Sequence, residues 1–146
     1  MGSVSSANVL ALPVRLHGIE LGRSVDLIVA LDARRVLGFE VRCGDDTHRF
    51  LPLAAARVHH GEIATGSSLT LLDELAFYRA RGHGLAALRG ARVANAGGEV
   101  GVLRDVVFED DGSISELVVA TGAGERRIPP GADVRISAWR LGRSIR

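Results

Sequence analysis

Lysine is absent from this chain of 146 residues, so all eighteen of its basic residues are arginine. Without lysine the protein can form no Schiff base through a side-chain amine, and it cannot hold a nucleotide phosphate through a P-loop lysine. Seventeen acidic residues nearly balance the arginines and leave a net charge of +1. This balance does not favour bulk duplex DNA as the partner, because such binding relies on a strongly basic surface.

Cysteine and long hydrophobic runs are also scarce. The single Cys43 excludes an intrachain disulfide framework and a four-cysteine zinc site, and it fits a reducing compartment. The longest apolar run near the start, Val9 to Val14, is interrupted by Pro13 and is too short for a signal sequence or a membrane span. We therefore expect a cytoplasmic protein, and its apolar fraction of 47% is sufficient for a packed core.

Two parts of the chain resemble one another in the order of their apolar positions, turn residues and prolines. Residues 25–58 align with residues 103–136 at a constant offset of 78. Upstream, Leu16-His17-Gly18 aligns with Leu88-Arg89-Gly90 at an offset of 72. Because a fixed internal period is typical of repeated architectures, we expect one small unit to occur twice.

Each part has the pattern of short β-strands separated by turns. In the second part, Val100 to Phe108 and Ile114 to Ala120 flank a turn that ends at Gly112, where glycine allows a positive φ. Pro129-Pro130 ends the next strand, because proline cannot donate to a ladder. The strands predicted in the first part are Val25 to Ala30, Val36 to Cys43 and His48 to Leu51. Short strands at hairpin spacing predict a small barrel or sandwich.

Between these parts, Ser67 to Arg81 has a helical pattern. Thr70 can cap the helix together with Asp73, apolar residues recur at helical spacing, and Gly82 provides a stop. We expect a linker helix that packs on the β-units. The alternative is a docking helix that uses Tyr78 to contact a partner.

The glycines and acidic turn positions of the second part follow a recognisable order. The order is Leu88-x-Gly90-x-x-Val93, then Gly98-x-x-Gly101-Val102-Leu103-x-Asp105-Val106-x-Phe108, then Asp110-x-Gly112-x-Ile114-x-x-Leu117-Val118-Val119, then Ile128-Pro129. This order resembles the PRC-barrel family, and Phe50 to Val58 is similar to the closing strand of the same family. The resemblance covers most of residues 14–138 and departs from the pattern at Arg34, where a turn glycine is expected.

The resemblance implies a mainly β chain with two small PRC-like β-barrels joined by a short helix. We expect the first barrel at residues 9–65, a helical linker at 66–86, the second barrel at 87–138 and a basic tail at 139–146. The family includes the cytoplasmic part of the photosynthetic reaction-centre H subunit and the C-terminal domain of a ribosome maturation factor. Both bind other macromolecules rather than catalyse reactions, although a fold alone does not fix the partner.

Catalytic and metal sites are not indicated by residue spacing. Cys43 and His48 lie five residues apart across a predicted hairpin, but the two aspartates between them oppose a reactive thiolate. His59 and His60 would point to opposite faces of a strand. The acidic run 109–111 is shorter than a calcium loop. We expect no enzyme activity, no metal and no cofactor, with a histidine-based sensor as a further hypothesis.

Basic residues near an aromatic side chain are the remaining candidates for partner contacts. These candidates are Arg126, Arg127, Trp139, Arg140, Arg143 and Arg146, together with Tyr78. Arginine binds phosphate or carboxylate in a bidentate manner, but six aromatic residues are too few for a base-stacking platform. We expect a non-catalytic adaptor or assembly module that binds another protein, with homo-oligomers as an option. The alternative is an RNA- or ribosome-associated maturation factor that binds through its arginine-rich surface.

Overall fold

The protein is mainly β, as the sequence predicts, with its strands in two curled sheets. A computed structural model of the chain describes residues 3–59, 61–138 and 143–145. The strands are β1 (Val4–Ser5), β2 (Pro13–Leu16), β3 (Ile19–Ala30), β4 (Arg35–Cys43), β5 (His48–Pro52), β6 (Ala56–His59), β7 (Glu62–Thr65), β8 (His83–Gly84), β9 (Arg92–Asn95), β10 (Gly98–Phe108), β11 (Ile114–Thr121), β12 (Gly124–Ile128), β13 (Arg135–Ala138) and β14 (Arg143–Ile145). The helices are α1 (Leu75–Arg81) and α2 (Leu85–Leu88). Within these residues, neither helix has the length and apolar composition that crossing a membrane requires.

Both sheets are built on a four-stranded antiparallel meander. The first sheet has the strand order β5-β4-β3-β2-β7-β6, and β8 pairs with β3. The second sheet has the order β12-β11-β10-β9-β13-β14, and β1 pairs with β10. The closing hairpins differ, because β7 lies parallel to β2 whereas β13 lies antiparallel to β9. The meanders β2–β5 and β9–β12 are therefore the parts that correspond.

The two meanders have the same strand register. Val14 pairs with Gly22 in the first sheet, and Val93 pairs with Gly101 in the second, each residue 79 positions later. This offset replaces the values of 72 and 78 that the sequence alignment predicts for these strands. The alignment was wrong for these strands because it matched similar residue types. The register depends instead on which residues face each other across the ladder.

Beyond the turn that joins β3 to β4, corresponding residues of the two sheets are 78 positions apart. Val29 pairs with Val36 in the first sheet, and Phe108 pairs with Ile114 in the second. The turn between β3 and β4 is therefore one residue longer than the turn between β10 and β11. Register shifts between β3 and β4 recur at the corresponding places between β10 and β11. Since bulges bend a strand and increase its twist, these shared shifts give the two sheets a similar curvature.

Each meander is preceded in the chain by a short strand, β1 before β2–β5 and β8 before β9–β12, and we call each strand with the meander that follows it a half of the chain. The short strand of each half pairs with the sheet of the other half. β1 lies against β10, with Ser5 opposite Val107. β8, which begins 79 residues after β1, lies against β3, with Gly84 opposite Ile28. The first of these strands precedes residue 9 and the second lies within the predicted linker 66–86. The halves therefore exchange their leading segments.

Two aspartates at equivalent register positions anchor the exchanged segments. The carboxylate of Asp105 accepts hydrogen bonds from the Ser5 hydroxyl at 2.5 Å and from the Ala7 N–H at 3.2 Å. The carboxylate of Asp26 accepts a hydrogen bond from the Ala86 N–H at 3.0 Å. Each aspartate thus accepts an N–H in the first turn of a short helical segment, and the Ala7 N–H is shared with the hydroxyl oxygen of Ser5.

The buried apolar side chains of the two sheets form one connected cluster. Its largest members come from both halves and include Leu27, Phe39, Leu51, Leu103 and Phe108. Because a change in one half leaves packing partners in the other half unsupported, the stability of the two sheets is coupled.

Helix α1 is shorter than the predicted helix over Ser67–Arg81, since it begins only at Leu75. The N–H of Leu72 donates to the carbonyl of Phe50 at 2.8 Å, and the N–H of Phe50 donates to the carbonyl of Leu72 at 2.9 Å. This pairing keeps Leu72 beside the edge of β5, where its backbone groups are unavailable to a helix. Thr70, predicted as a cap, instead donates to a backbone carbonyl of its own turn.

Candidate interaction site

The two halves meet where their hairpin turns pair with each other. The N–H of Val36 donates to the carbonyl of Gly112 at 2.7 Å, and the N–H of Ile114 donates to the carbonyl of Arg34 at 2.9 Å. Val36 and Ile114 hold the same register position in their sheets, and so do Arg34 and Gly112. The two hydrogen bonds are thus equivalent under a twofold rotation between the halves.

The residues that accept these bonds both have a left-handed backbone conformation. Gly112 has φ +91°, and a Cβ atom there would lie 2.7 Å from the carbonyl oxygen of Val36 and 3.0 Å from the Leu53 side chain. Arg34 has φ +52°. Arg34 therefore adopts a left-handed conformation that glycine adopts at a lower steric cost.

A groove of about 350 Å³ opens beside this junction, and we call it the inter-half groove. Both halves line it, chiefly through Leu31, Asp32, Arg34, Ile114, Leu117, Val134, Arg135 and Ile136. Its floor is apolar, since Leu117 and Ile136 belong to the shared core. A partner side chain could therefore be buried there without loss of hydrogen bonds to water.

Two guanidinium groups flank the apolar floor. Among the described residues, neither Arg34 nor Arg135 has a carboxylate within ion-pair distance. Asp32 also lines the groove, and its carboxylate accepts the N–H of Ala33 at 2.9 Å. The groove can thus take an apolar group and an anion together, because arginine holds carboxylates in a bidentate manner.

A smaller cavity of about 270 Å³ occupies the related position on the other side of the junction. It is lined by Val4, Leu53, Val58 and Phe108, and by charged or titratable side chains of both signs, Arg57, His59, Glu109 and Asp110. Mixed charge gives this cavity no preference for an anion. The inter-half groove is therefore the more selective of the two surfaces.

A buried carboxylate holds helix α1 against the first sheet. Glu40 is only 4% exposed, and its Oε2 lies 2.5 Å from Nδ1 of His48. The guanidinium of Arg79, in α1, donates to the other carboxylate oxygen of Glu40. Burial favours the protonated form of Glu40, but the hydrogen bonds from His48 and Arg79 outweigh it, so the pKa of Glu40 is lowered.

Asp26 lies opposite Glu40 in the strand register. The pKa of Asp26 is shifted in the opposite direction, upward. Burial raises the pKa of Asp26 against the effect of the N–H groups of Ala86 and Leu27, and the nearby charge of Glu40 adds to the increase. The contributions of the two carboxylates to folding stability therefore change in opposite directions with pH.

We predict that Glu40→Gln will lower the free energy of unfolding by about 1–2 kcal/mol at neutral pH, because a charge-assisted hydrogen-bond network is lost. A lowered pKa in the folded state gives stability above the unfolded pKa, and this stability is lost as the pH falls through the folded pKa. The variant should therefore lose less stability than wild type on acidification. Urea unfolding across the acid range measures this, with Glu116→Gln as an exposed control. Parallel curves for wild type and Glu40→Gln would contradict it.

Tyr78, predicted as a partner contact, lies half-buried against the first sheet. Its ring stacks on Phe50 with centroids 3.9 Å apart and planes inclined by 11°. Phe77 meets Tyr78 edge-on, and the guanidinium of Arg81 lies over the Phe77 ring at 4.5 Å. The stack and the Glu40 hydrogen bonds together fix α1 over β5.

The predicted basic contacts are distributed over two places. Arg126 and Arg127 lie exposed on β12, and Arg127 forms an ion pair with Glu116 at 3.1 Å. Arg143 lies in β14. Trp139, Arg140 and Arg146 lie outside the described residues.

The candidate nucleophile and metal ligands are not brought together in the described parts of the chain. Cys43 is buried, and the imidazole of His48 contacts Glu40 rather than the thiol. No group of three or more metal-ligating side chains occurs in residues 3–59, 61–138 and 143–145. His60 is outside these ranges. The expectation that the protein is not an enzyme stays a prediction.

Two features of the site were missed by sequence reasoning. The inter-half groove depends on contacts between distant hairpins, which no local pattern encodes. The Glu40 network had one signal, a single charged residue within the otherwise apolar run Val36 to Val41. A lone charge in such a strand indicates a buried partner.

Comparison with known proteins leaves the site to be interpreted from its own geometry. No family model matches the chain, and no curated protein matches it. The shared register, the exchanged segments and the inter-half groove are therefore the basis on which a function is assigned.

Proposed function

We propose that the chain is a non-catalytic assembly module made of two PRC-barrel-like units, joined by the segment that carries α1. The repeated register of the two meanders supports a duplicated unit. The exchange of β1 and β8 between the sheets supports a single assembly of both units. The scattered positions of Cys43 and the described histidines give no support to a catalytic function.

The inter-half groove carries the proposal, because both units contribute to it. Its occupant is a segment of a partner protein that places an apolar side chain on Leu117 and Ile136. An acidic side chain or a terminal carboxylate of that segment binds Arg34 or Arg135. Burial of the apolar group provides most of the affinity, and the charge pair selects the partner.

We predict that the double variant Ala132→Trp with Arg135→Glu will lose its protein partner while staying folded. Ala132 and Arg135 are exposed groove residues, so the bulky ring fills the groove and the charge reversal repels a carboxylate. Affinity capture from native lysate followed by mass spectrometry measures the stoichiometric partner. Arg42→Glu, an exposed charge reversal on β4, is the matched control. A protein that stays alone, or a partner retained by the groove variant, would overturn the proposal.

A second candidate function is RNA binding, favoured by the exposure of Arg126 and Arg127 on β12. Phosphate contacts release counterions, so this function requires an affinity that falls steeply with salt. A gel shift compares wild type with two variants, one with Arg126 and Arg127 replaced by Gln and one with Arg140, Arg143 and Arg146 replaced together. Absence of salt-dependent RNA affinity in wild type removes this candidate.

A further inference from the structure

The outer edge of strand β12 is a place where the two halves differ. In the first sheet the corresponding edge strand, β5, is covered by the chain itself, because Leu72 exchanges two backbone hydrogen bonds with Phe50. In the second sheet, no residue of the described ranges pairs with the outer edge of β12. Among the described residues, the same position is covered in one half and unpaired in the other.

Two residues of β12 direct their backbone groups toward this open edge. Phe50 pairs with Glu40 in the first sheet, and Arg127 pairs with Val118 in the second, so Arg127 holds the register position of Phe50. Antiparallel alternation turns the N–H and C=O of Arg127 outward, and likewise those of Glu125 two residues earlier. These groups form a template for an added strand.

The side chains of β12 restrict which strand can be added. Glu125, Arg126 and Arg127 are all exposed, and Glu125 and Arg127 share one face because they are two residues apart. A charged edge opposes pairing with most strands, since like charges directly opposite each other are unfavourable. Only a strand with the reverse order of charges fits this face.

We propose that β12 pairs antiparallel with β12 of a second copy of this chain, centred on Arg126. In this register Glu125 lies opposite Arg127 of the second copy, and Arg127 lies opposite Glu125. Each of these pairs exchanges two backbone hydrogen bonds and places opposite charges side by side. The sequence Glu-Arg-Arg is therefore complementary to itself across a twofold axis.

One contact of this register is unfavourable. Arg126 faces Arg126 of the second copy on the other side of the ladder, with like charges opposed. The strand has only five residues, so we expect a concentration-dependent dimer rather than a permanent one. The contact lies on the edge of the second sheet, and it does not depend on the function proposed for the inter-half groove.

The test uses two charge reversals in the full chain and measures the dimer by sedimentation equilibrium. Glu125→Arg places two arginines on the shared face, and Arg127→Glu places two glutamates there. Each variant alone should lose about tenfold or more in dimer affinity, because both charge pairs become repulsive. An equimolar mixture should form a heterodimer that native mass spectrometry detects, since two arginines then face two glutamates.

Two further variants sharpen the test. Arg104→Glu, an exposed reversal on β10, changes net charge in the same way as Arg127→Glu and should leave the dimer unchanged. Arg126→Thr removes the like-charge contact and should tighten the dimer.

The equimolar mixture of the two charge-reversed chains also tests their folding. A heterodimer shows that both reversed chains are folded, because misfolded chains could not restore pairing. Wild type that is monomeric at the highest soluble concentration, a dimer retained by both single variants, or a mixture without heterodimer would each overturn the proposal.

Discussion

A Phe39→Ala variant will unfold with a free energy about 3–5 kcal/mol lower than that of wild type, the usual cost of removing a buried phenylalanine ring. Phe39 is fully buried and belongs to the cluster shared by the two sheets. The cavity therefore weakens both halves, although the substitution lies in the first. Denaturant unfolding followed by hydrogen exchange in β4 and in β11 measures the effect in each half.

Phe77 offers the matched control, because this residue is 51% exposed. A Phe77→Ala variant should lose only the ring contacts to Tyr78 and Arg81, and with them a small part of the stability. Separate unfolding transitions, with only the first half destabilised by Phe39→Ala, would show that the two sheets are independent and would contradict the shared core.

Gly101→Ala will cost about 3 kcal/mol, the upper end of what overpacking usually costs. A Cβ atom at this position would collide with the carbonyl oxygen of Ala120 and would lie 2.8 Å from the Val119 side chain. Gly22 holds the same register position and would collide in the same way with Arg42 and Val41. Thermal or urea unfolding of both variants should therefore give similar losses.

Gly122→Ala is the control for these two substitutions. A Cβ atom there meets nothing within 4 Å, so the stability should change little. If Gly101→Ala were as stable as Gly122→Ala, the close approach of β10 to β11 at this position would be refuted. A large effect at only one of Gly22 and Gly101 would argue against equivalent packing in the two meanders.

Much of the strand pattern was predictable from local chemistry. Alternating apolar residues and the turn at Gly112 place β10 and β11 close to their observed bounds. Strand β12 ends at Ile128, directly before Pro129-Pro130, as predicted from the missing proline N–H. These features are local, and the sequence records them in consecutive residues.

The predictions failed where distant residues decide the structure. Helix α1 begins late because Leu72 is held by Phe50, a contact across the linker. The exchange of β1 and β8 has no local signature, since two-residue strands carry no periodicity. The offsets of 72 and 78 from the sequence alignment were wrong in β2 and β3 for a related reason. Strand pairing, rather than similarity of residue type, determines which residues correspond.

The candidate site was less predictable than the fold. Exposure of Arg126 and Arg127 follows from their charge, and sequence reasoning selected both. The groove flanked by Arg34 and Arg135 requires two hairpin turns to meet, and Arg34 and Gly112, the acceptors at that junction, lie far apart in the chain. Tyr78 carried an aromatic signal, but only its stack on Phe50 shows that the ring is engaged within the chain.

The long-range attachment of β1 has a consequence for how the protein is made. Ser5 and Asp105, which share a hydrogen bond, are separated by 100 residues. During translation β1 leaves the ribosome well before β10, so it has no partner until the part of the chain between them has been synthesised. Strand β1 therefore stays unpaired during this time and can pair with a neighbouring nascent chain. We expect its docking on β10 among the last steps of folding.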